Sequence, residues 1–423
     1  MKSLQEIADD LQGYDPQAMS ADQVEAFLHR LAPESLELPT EDLPVAQAMD
    51  RILAEAVVSP ISVPPHDNSA MDGYAFSSTQ LAVGDRVRLK CIGTALAGPA
   101  WEGVVGAGEC VKIMTGAVMP EGLDTVVPQE FTQIDADQIS FETRVVGAGD
   151  NRRLCGEDLM QGHVALQAGT RLSPAALGLL ASLGIPTVQV VQKLRVAYFS
   201  TGSEILSLGE NPRPGAIYDS NRYTVLGLLT RLGCEMVDLG VCPDDPDLLR
   251  DRFQKAAASA DVVITSGGVS VGEADFTKAM MRELGDVAFW RIAMRPGRPM
   301  AVGRIGSCVL FGLPGNPVAV MVTFLAFVRP ALLRLMGALP QPLPMVRARS
   351  TEPIRKKPGR TEYQRGRLSR ASNGDWQVSS TGQQGSGVLR SMVQAHGLMV
   401  LPHHSGDVSV GDWVDVMLFD AMG

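Results

Sequence analysis

The spacing of apolar positions shifts along the chain, and each shift marks a unit. From Lys193 onward, short apolar runs alternate with helical patterns. LRVAYFS (194–200), EMVDLGV (235–241), VVIT (262–265), AFWRIAM (288–294), Met300–Gly303 and Ser307–Gly312 read as strands. A helix is predicted over Asn221–Leu232, one after Asp244-Asp245-Pro246, and one over FTKAMMREL (276–284). Strands separated by helices of about ten to fifteen residues predict a parallel sheet with helices on both faces. Asn316-Pro317 opens the most apolar run, Val318–Val328, which ends at Arg329-Pro330. At about eleven residues it is too short for a bilayer and reads as a buried helix.

Elsewhere strands dominate. Residues 80–146 are rich in strands and turns and predict a small β domain inserted in the chain. From about Pro342 the pattern is β again (VRARSTEPI, TEYQRGRLS, DWQVSST, GLMVLP, DWVDVMLF), which predicts a small closed or half-closed barrel. Residues 1–20 are expected to be a loose, dispensable extension. Ser20 then caps a helix, Val45–Val58 shows helical periodicity turning strand-like at its end, and Ser173-Pro174 starts another helix.

Bulk properties narrow the class. At 423 residues the chain exceeds one core. Its 45% hydrophobic and 20% charged content is that of a soluble globular protein. A net charge of -10 argues against a nucleic-acid binder. The six cysteines form no CxxC pair, which argues for a reducing cytoplasm and against a disulfide framework or zinc site. His403-His404 has no ligand partners nearby in sequence and reads as an exposed loop. The acidic N-terminus is no secretory signal, and no membrane segment is expected. GxxxxGK[ST] and GxGxxG are missing, so phosphate-loop hydrolase and dinucleotide chemistry have no support, and the few histidines argue against a serine-hydrolase triad.

Candidate chemistry gathers at strand ends, where a doubly wound sheet binds its ligands. The stretch Val262–Asp275 (VVITSGGVSVGEAD) joins a strand, a glycine turn and a helix start, a place that favours anions. Two carboxylates in that turn, Glu273 and Asp275, would repel a bound dianion unless a cation lay between. STGSE, YDSN, CPDDP, AMRPGRP and LPGNP end neighbouring elements. Asp67, Asn68, Ser69 and Asp72 make either an Asx-bonded turn or a ligand-facing loop. Thr115 caps a turn or offers a hydroxyl, and Arg152–Asp158 reads as an ion-paired turn. Tyr363–Arg367 and Gly382–Gly387 are polar enough to touch a ligand.

DNSAMDGYA (67–75), IMTGAVMPEG (113–122), GED (156–158), STGSE (200–204), DSN (219–221), TSGGVSVGEAD (265–275), RPGRP (295–299) and LPGNPVA (313–319) together resemble the ordered motifs of the MoeA family, the molybdopterin molybdenumtransferases. The resemblance runs from about residue 20 to the end. It implies a multidomain α/β plus β fold: an elongated linker and dimerisation domain (20–62 and 151–191), an inserted β-rich domain (63–150), a parallel α/β/α sheet domain binding molybdopterin (192–340) and a C-terminal β-barrel (341–423), after an extension over 1–19. It also implies a cytoplasmic homodimer whose cleft lies between the sheet domain of one subunit and the insertion of the other. The substrates would be adenylylated molybdopterin and molybdate, the cofactor Mg2+ and the released product AMP. A molybdopterin adenylyltransferase and molybdoenzyme acceptors would be transient partners.

Matched by position, the resemblance assigns catalysis to Asp72, Thr115, Asp158, Glu204 and Asp275. It assigns binding to Ser200, Thr201, Gly202, Asp219, Asn221, Asp244, Ser266, Gly267, Gly268, Ser270, Gly272 and Glu273. It also assigns binding to Arg291, Arg295, Arg298, Pro314, Gly315, Asn316, Pro317, Arg365 and Ser386. Asp244 and Asp275 mark the magnesium or molybdate region, and Asp275 can also cap its helix. Arg stands at 291 and 295 where the family commonly has Lys; it keeps the charge but binds as a planar fork. His66 replaces a usual aromatic or apolar residue. Alternatives left open are a non-catalytic dimeric scaffold or cofactor carrier, as the gephyrin domain can be, and a tungsten-inserting variant. The insertion and the barrel argue against the adenylyltransferase step.

Overall fold

The computed structural model describes residues 3–11, 13–31, 38–82, 84–269 and 276–419. At its centre is a six-stranded sheet. Across it run Glu235–Cys242, Arg195–Thr201, Val262–Ser266, Cys308–Leu313, Pro299–Ile305 and Asp286–Arg291. The first four are mutually parallel, joined through helices such as Ser220–Leu232 and Pro246–Ser259. The last two are antiparallel, which departs from the all-parallel expectation. The cause is connection length: Ile305 faces Cys308 across a turn at Gly306, too tight for the crossover a parallel pair needs. Val262–Ser266 is buried throughout, as a central parallel strand must be. Asp219 and Asp245 cap their helices through side-chain oxygens that accept Arg222 N and Leu248 N.

The apolar helix is longer than its sequence suggested. It runs from Pro317 to Leu335, straight past Arg329-Pro330. A π turn over Phe324–Val328 leads into the proline, where the missing N–H breaks the regular ladder. Its length and composition would let it cross a membrane, yet 78% of its apolar window is buried inside the protein, so it serves as a core helix.

The N-terminal residues are not loose. Ser3 caps the short helix Leu4–Asp9, whose Leu4, Ile7 and Ala8 are buried. Pro16 O accepts from Arg291 N (2.8 Å) and Met19 O from Ala293 N (2.7 Å), so this segment covers the edge strand of the sheet. Phe27, from helix Ala21–Leu31, lies between Tyr14 and Trp290. Ser20 Oγ accepts from Gln23 N, as its capping role predicted.

In the linker region Thr40–Pro44 pairs with Thr187–Val191. Val45–Val58 is not a helix beyond Val45–Gln47. Ile52 and Leu53 instead bridge to Arg171 and Val190, and Asp50 takes a positive φ of 63°. The insertion is one six-stranded sheet, with Gly73–Phe76, Glu109–Ile113 and Arg86–Ala95 at its middle. In the C-terminal domain Gly397–Leu401 pairs with both Trp413–Leu418 and Thr361–Arg370, which closes the barrel. Met294–Arg295 pairs with Thr361–Glu362 and so ties the sheet domain to the barrel.

Candidate functional site

The carboxyl ends of the parallel strands open into a cavity of 850 Å³. Its floor is built from Ser200, Thr201, Ser266, Gly267 and Gly268. The two glycines sit at φ 91° and 62°. A Cβ on Gly267 would lie 2.5 Å from Thr201 O, and one on Gly268 2.3 Å from Thr277 Oγ1. Only glycine lets this turn fold so tightly against its neighbours.

Strand order sorts the charges. Glu204 and Asp244 follow the two strands on one flank, and Asp219 lies beside them at a helix start. Asp244 is held by a reciprocal pair: Ser203 N donates to its Oδ2 (3.2 Å), and Ser203 Oγ accepts from its N (3.2 Å). On the other flank, the turn entering the antiparallel strand Pro299–Ile305 supplies Arg295 and Arg298, both exposed. Between them lie Pro314, Gly315 and Asn316. The barrel contributes Gln384, Gly385 and Ser386. Ser386 O accepts from Val318 N (3.1 Å), which fastens that loop to the start of the apolar helix.

Two buried acceptors on residues that line this cavity, Asp219 Oδ2 and Asn221 Oδ1, have no hydrogen-bond partner among the described residues. Asn221 Nδ2 donates to Gly315 O (2.7 Å), which fixes the amide. A ligand that donates N–H or O–H groups would satisfy both oxygens.

Residues 19–184 match the family description "MoeA N-terminal region (domain I and II)". Residues 197–334 match "Probable molybdopterin binding domain", and residues 347–419 match "MoeA C-terminal region (domain IV)". A curated relative from Haemophilus influenzae, a molybdopterin molybdenumtransferase, is 41% identical over 92% of this chain and 96% of its own length. One from Nostoc sp., with the same name, is 34% identical over 96% and 95%. The chain belongs to the MoeA family. Two crystal structures of the MoeA protein from Pyrococcus horikoshii superpose with TM-scores of 0.81 and 0.74, at 28% and 31% identity. They cover 95% and 96% of this MoeA chain and all of their own.

Against this MoeA cleft the sequence-derived residues separate into groups. Ser200, Thr201, Gly202, Glu204, Asp219, Asn221, Asp244, Ser266, Gly267, Gly268, Arg295, Arg298, Pro314, Gly315, Asn316 and Ser386 line it. Ser270, Gly272, Glu273 and Asp275 lie outside the described residues. Arg291 does not line the cavity: strand alternation buries Trp290 and turns Arg291 outward. Pro317 does not line it either; it is the first residue of its helix, where the absent N–H costs nothing. Arg365 lies under the 382–387 loop, fully buried, and lines a second cavity of 390 Å³ with Tyr363 and Gln364. Its Nε donates to Ser391 Oγ, Nη1 to Gln384 O, and Nη2 to Gln383 O and Gly385 O. Burial, with Arg295 nearby, lowers its pKa to about 10.

Asp72, Thr115 and Asp158 also lie away from the cleft, on a second loop cluster. Asp72 Oδ1 accepts from Thr115 N and Oγ1, both at 2.7 Å, and these bonds lower its pKa. Asp67 pairs with Arg152 and accepts from Cys155 N (2.6 Å), the latter the main cause of its own lowered pKa. Ser69 O accepts from Gly116 N and Asn151 O from Ala70 N. Three motifs far apart in sequence are thus joined into one exposed patch. His66 is exposed beside it, as are His403 and His404 in the barrel. Ile205 and Ile217 line the cleft but carry no sequence signal apart from adjoining a motif, whereas Met294 and Gln384 lie within the AMRPGRP and 382–387 stretches.

Proposed function

We propose that this transferase of molybdenum cofactor biosynthesis inserts molybdenum from molybdate into adenylylated molybdopterin, with magnesium-dependent release of AMP. The observation that carries the proposal is the polarised cleft, with carboxylates on one flank, glycine turns in the middle and guanidinium groups on the other. Arg295 and Arg298 suit an oxyanion such as molybdate, which arginine grips through paired N–H donors. Asp219 and Asn221 offer acceptors for the donor groups of a pterin. Tungstate would meet the same arginines.

Among the described residues no three potential ligands converge into a ready-made metal site. Magnesium typically uses one or two carboxylates plus substrate phosphates, so Glu204 and Asp244 in the cleft fit that role, and the family resemblance adds Asp275. When bound, the ion would offset phosphate charge and polarise the bond to be cleaved. The chain's own task is to orient the adenylate near the carboxylate flank and hold the oxyanion at the arginines.

Asp72, Thr115 and Asp158 fit the same chemistry if a second copy brings its loop cluster to this cleft, as in a homodimer. The sheet domain carries exposed apolar residues suited to such an association, including Leu208, Ile217, Tyr223 and Leu226. Six free cysteines are compatible with a cytoplasmic setting. Transient contacts with the adenylyltransferase and with molybdoenzyme acceptors would supply the substrate and receive the product.

The test is AMP release from adenylylated molybdopterin and magnesium, with and without molybdate, for wild type and Asp275→Ala. Molybdate-dependent release by wild type and its loss in a folded variant are expected. Tight pterin binding without release by wild type would overturn catalysis in favour of a scaffold or carrier.

A further inference from the structure

The central sheet carries one residue out of keeping with its face. Val196 and Tyr198 share a side of strand Arg195–Thr201, packed among Val262, Ile264, Val309 and Phe311. Burying a phenol among aliphatic side chains is unfavourable unless its hydroxyl finds partners. Tyr198 is 0% exposed, and its hydroxyl reaches the floor of the cleft, 2.7 Å from Ser266 Oγ and 2.8 Å from Ser200 Oγ. The two serines are 3.3 Å apart, and both line the cavity.

We propose that Tyr198 is a positioning residue: it fixes the directions of the hydroxyl protons of Ser200 and Ser266 so that Ser266 presents its proton to an acceptor atom of the pterin substrate. This rests on the function proposed above. Either direction of donation satisfies this triangle, and the proposed one has Tyr198 donating to Ser266. Asn221 Nδ2, which can only donate, faces Ser266 Oγ at 3.4 Å. Tyr198 donates over the shortest contact, to Ser266. Ser200 donates to the tyrosine oxygen. Ser266 then accepts two bonds, and its own proton is left with the longest contact in the triangle or with the cleft. A ligand acceptor takes it at little loss. Burial first, and the nearby Asp219 second, raise the pKa of Tyr198, so its proton stays in place across the working pH range. Without the phenol, Ser266 loses the donor that orients its hydroxyl, and its proton is free to turn inward to Ser200 Oγ, 3.3 Å away.

The test is Tyr198→Phe, which keeps the ring and its packing. The expected result is a KM for adenylylated molybdopterin about fivefold higher, equivalent to about 1 kcal/mol at 1.4 kcal/mol per tenfold. KM for molybdate and kcat should change less than twofold. Ser266→Ala should raise the same KM, and the double variant should be no worse than Ser266→Ala alone. An unchanged KM in folded Tyr198→Phe, additive effects, or equal losses for both substrates would overturn the proposal. If wild type releases no AMP, the function above fails but this proposal is still tested. The equilibrium Kd for molybdopterin should then weaken about fivefold in Tyr198→Phe, and an unchanged Kd refutes it.

Discussion

Replacing Arg365 by Met should loosen the barrel loop that reaches into the cleft, because the guanidinium acts on the loop and not on the ligand. Its four donor contacts, to Ser391 Oγ and to the carbonyls of Gln383, Gln384 and Gly385, span 2.9–3.2 Å in a fully buried setting. The backbone adds to this. Gln384 Oε1 accepts from Arg365 N at 2.8 Å, and Thr381 N donates to Arg365 O at 3.1 Å. Bonds to a charged donor are worth about 1.5 kcal/mol each, so four set an upper bound near ~6 kcal/mol. Methionine fills much of the space and no longer buries a charge, which returns a few kcal/mol. A net loss of about 2–4 kcal/mol remains. Amide exchange over residues 381–387 should then quicken roughly thirtyfold or more, taking 2 kcal/mol as the lower figure. Arg365→Lys keeps a point charge but not the fork, and should recover about half of the loss. Denaturant unfolding of the barrel gives the stability, and exchange read by mass spectrometry gives the loop. A folded Arg365→Met with less than about 0.5 kcal/mol lost and unchanged loop exchange, yet impaired turnover, would refute the reasoning. It would mean that the guanidinium touches the substrate directly.

The glycine turn makes a sharper demand. Gly268→Ala places a Cβ 2.3 Å from Thr277 Oγ1 at φ 62°, and strain plus overlap of about 2–4 kcal/mol should weaken molybdopterin binding at least tenfold; an unchanged Kd would count against it. Phe27→Ala removes the ring set 4.8 Å from Trp290 and should cost about 3–5 kcal/mol, read as a lowered Tm, whereas a loose N-terminal segment would show no shift. Asp72 has a lowered folded pKa, so its hold on Thr115 is complete above the ordinary carboxylate value of 3.8 and is lost only as pH falls through the lower folded value. Exchange at the Thr115 amide should therefore stay flat from neutral pH to about pH 4 after correction for the intrinsic rate, and Asp72→Ala should accelerate it throughout.

The parts of the fold that were legible in the sequence are those where local and tertiary demands coincide. VVIT followed by SGG is both a strand that wants burial and a turn that only glycine can make, and the structure keeps both. Leu4, Ile7 and Ala8 had helical spacing too, yet a six-residue helix is unstable alone. What secures that segment is the edge strand at Asp286–Arg291, 282 residues from Leu4 in sequence at its Asp286 contact. Val45–Val58 failed for the opposite reason. Its apolar spacing fits a helix, but Asp50 at positive φ and bridges to Arg171 and Val190 commit the backbone elsewhere. Pro330 looked like a terminator, and a π turn absorbs it.

The polarity of the cleft belongs to a level that sequence order conceals. Along the chain, acidic and basic motifs follow one another: STGSE, DSN, CPDDP, SGG, RPGRP, LPGNP. Sheet order rearranges them. Crossovers set the strands before STGSE and CPDDP side by side on one flank, with the glycine-turn strand next to them. The tight turn at Gly306 makes Pro299–Ile305 antiparallel, so the start of that strand, and not its end, meets the cleft. Arg295 and Arg298 precede that start. Had the strand run parallel, RPGRP would sit at the far edge of the sheet, and the cleft would lose both guanidinium groups. The hairpin that broke the parallel expectation is therefore what gives the site its cationic end.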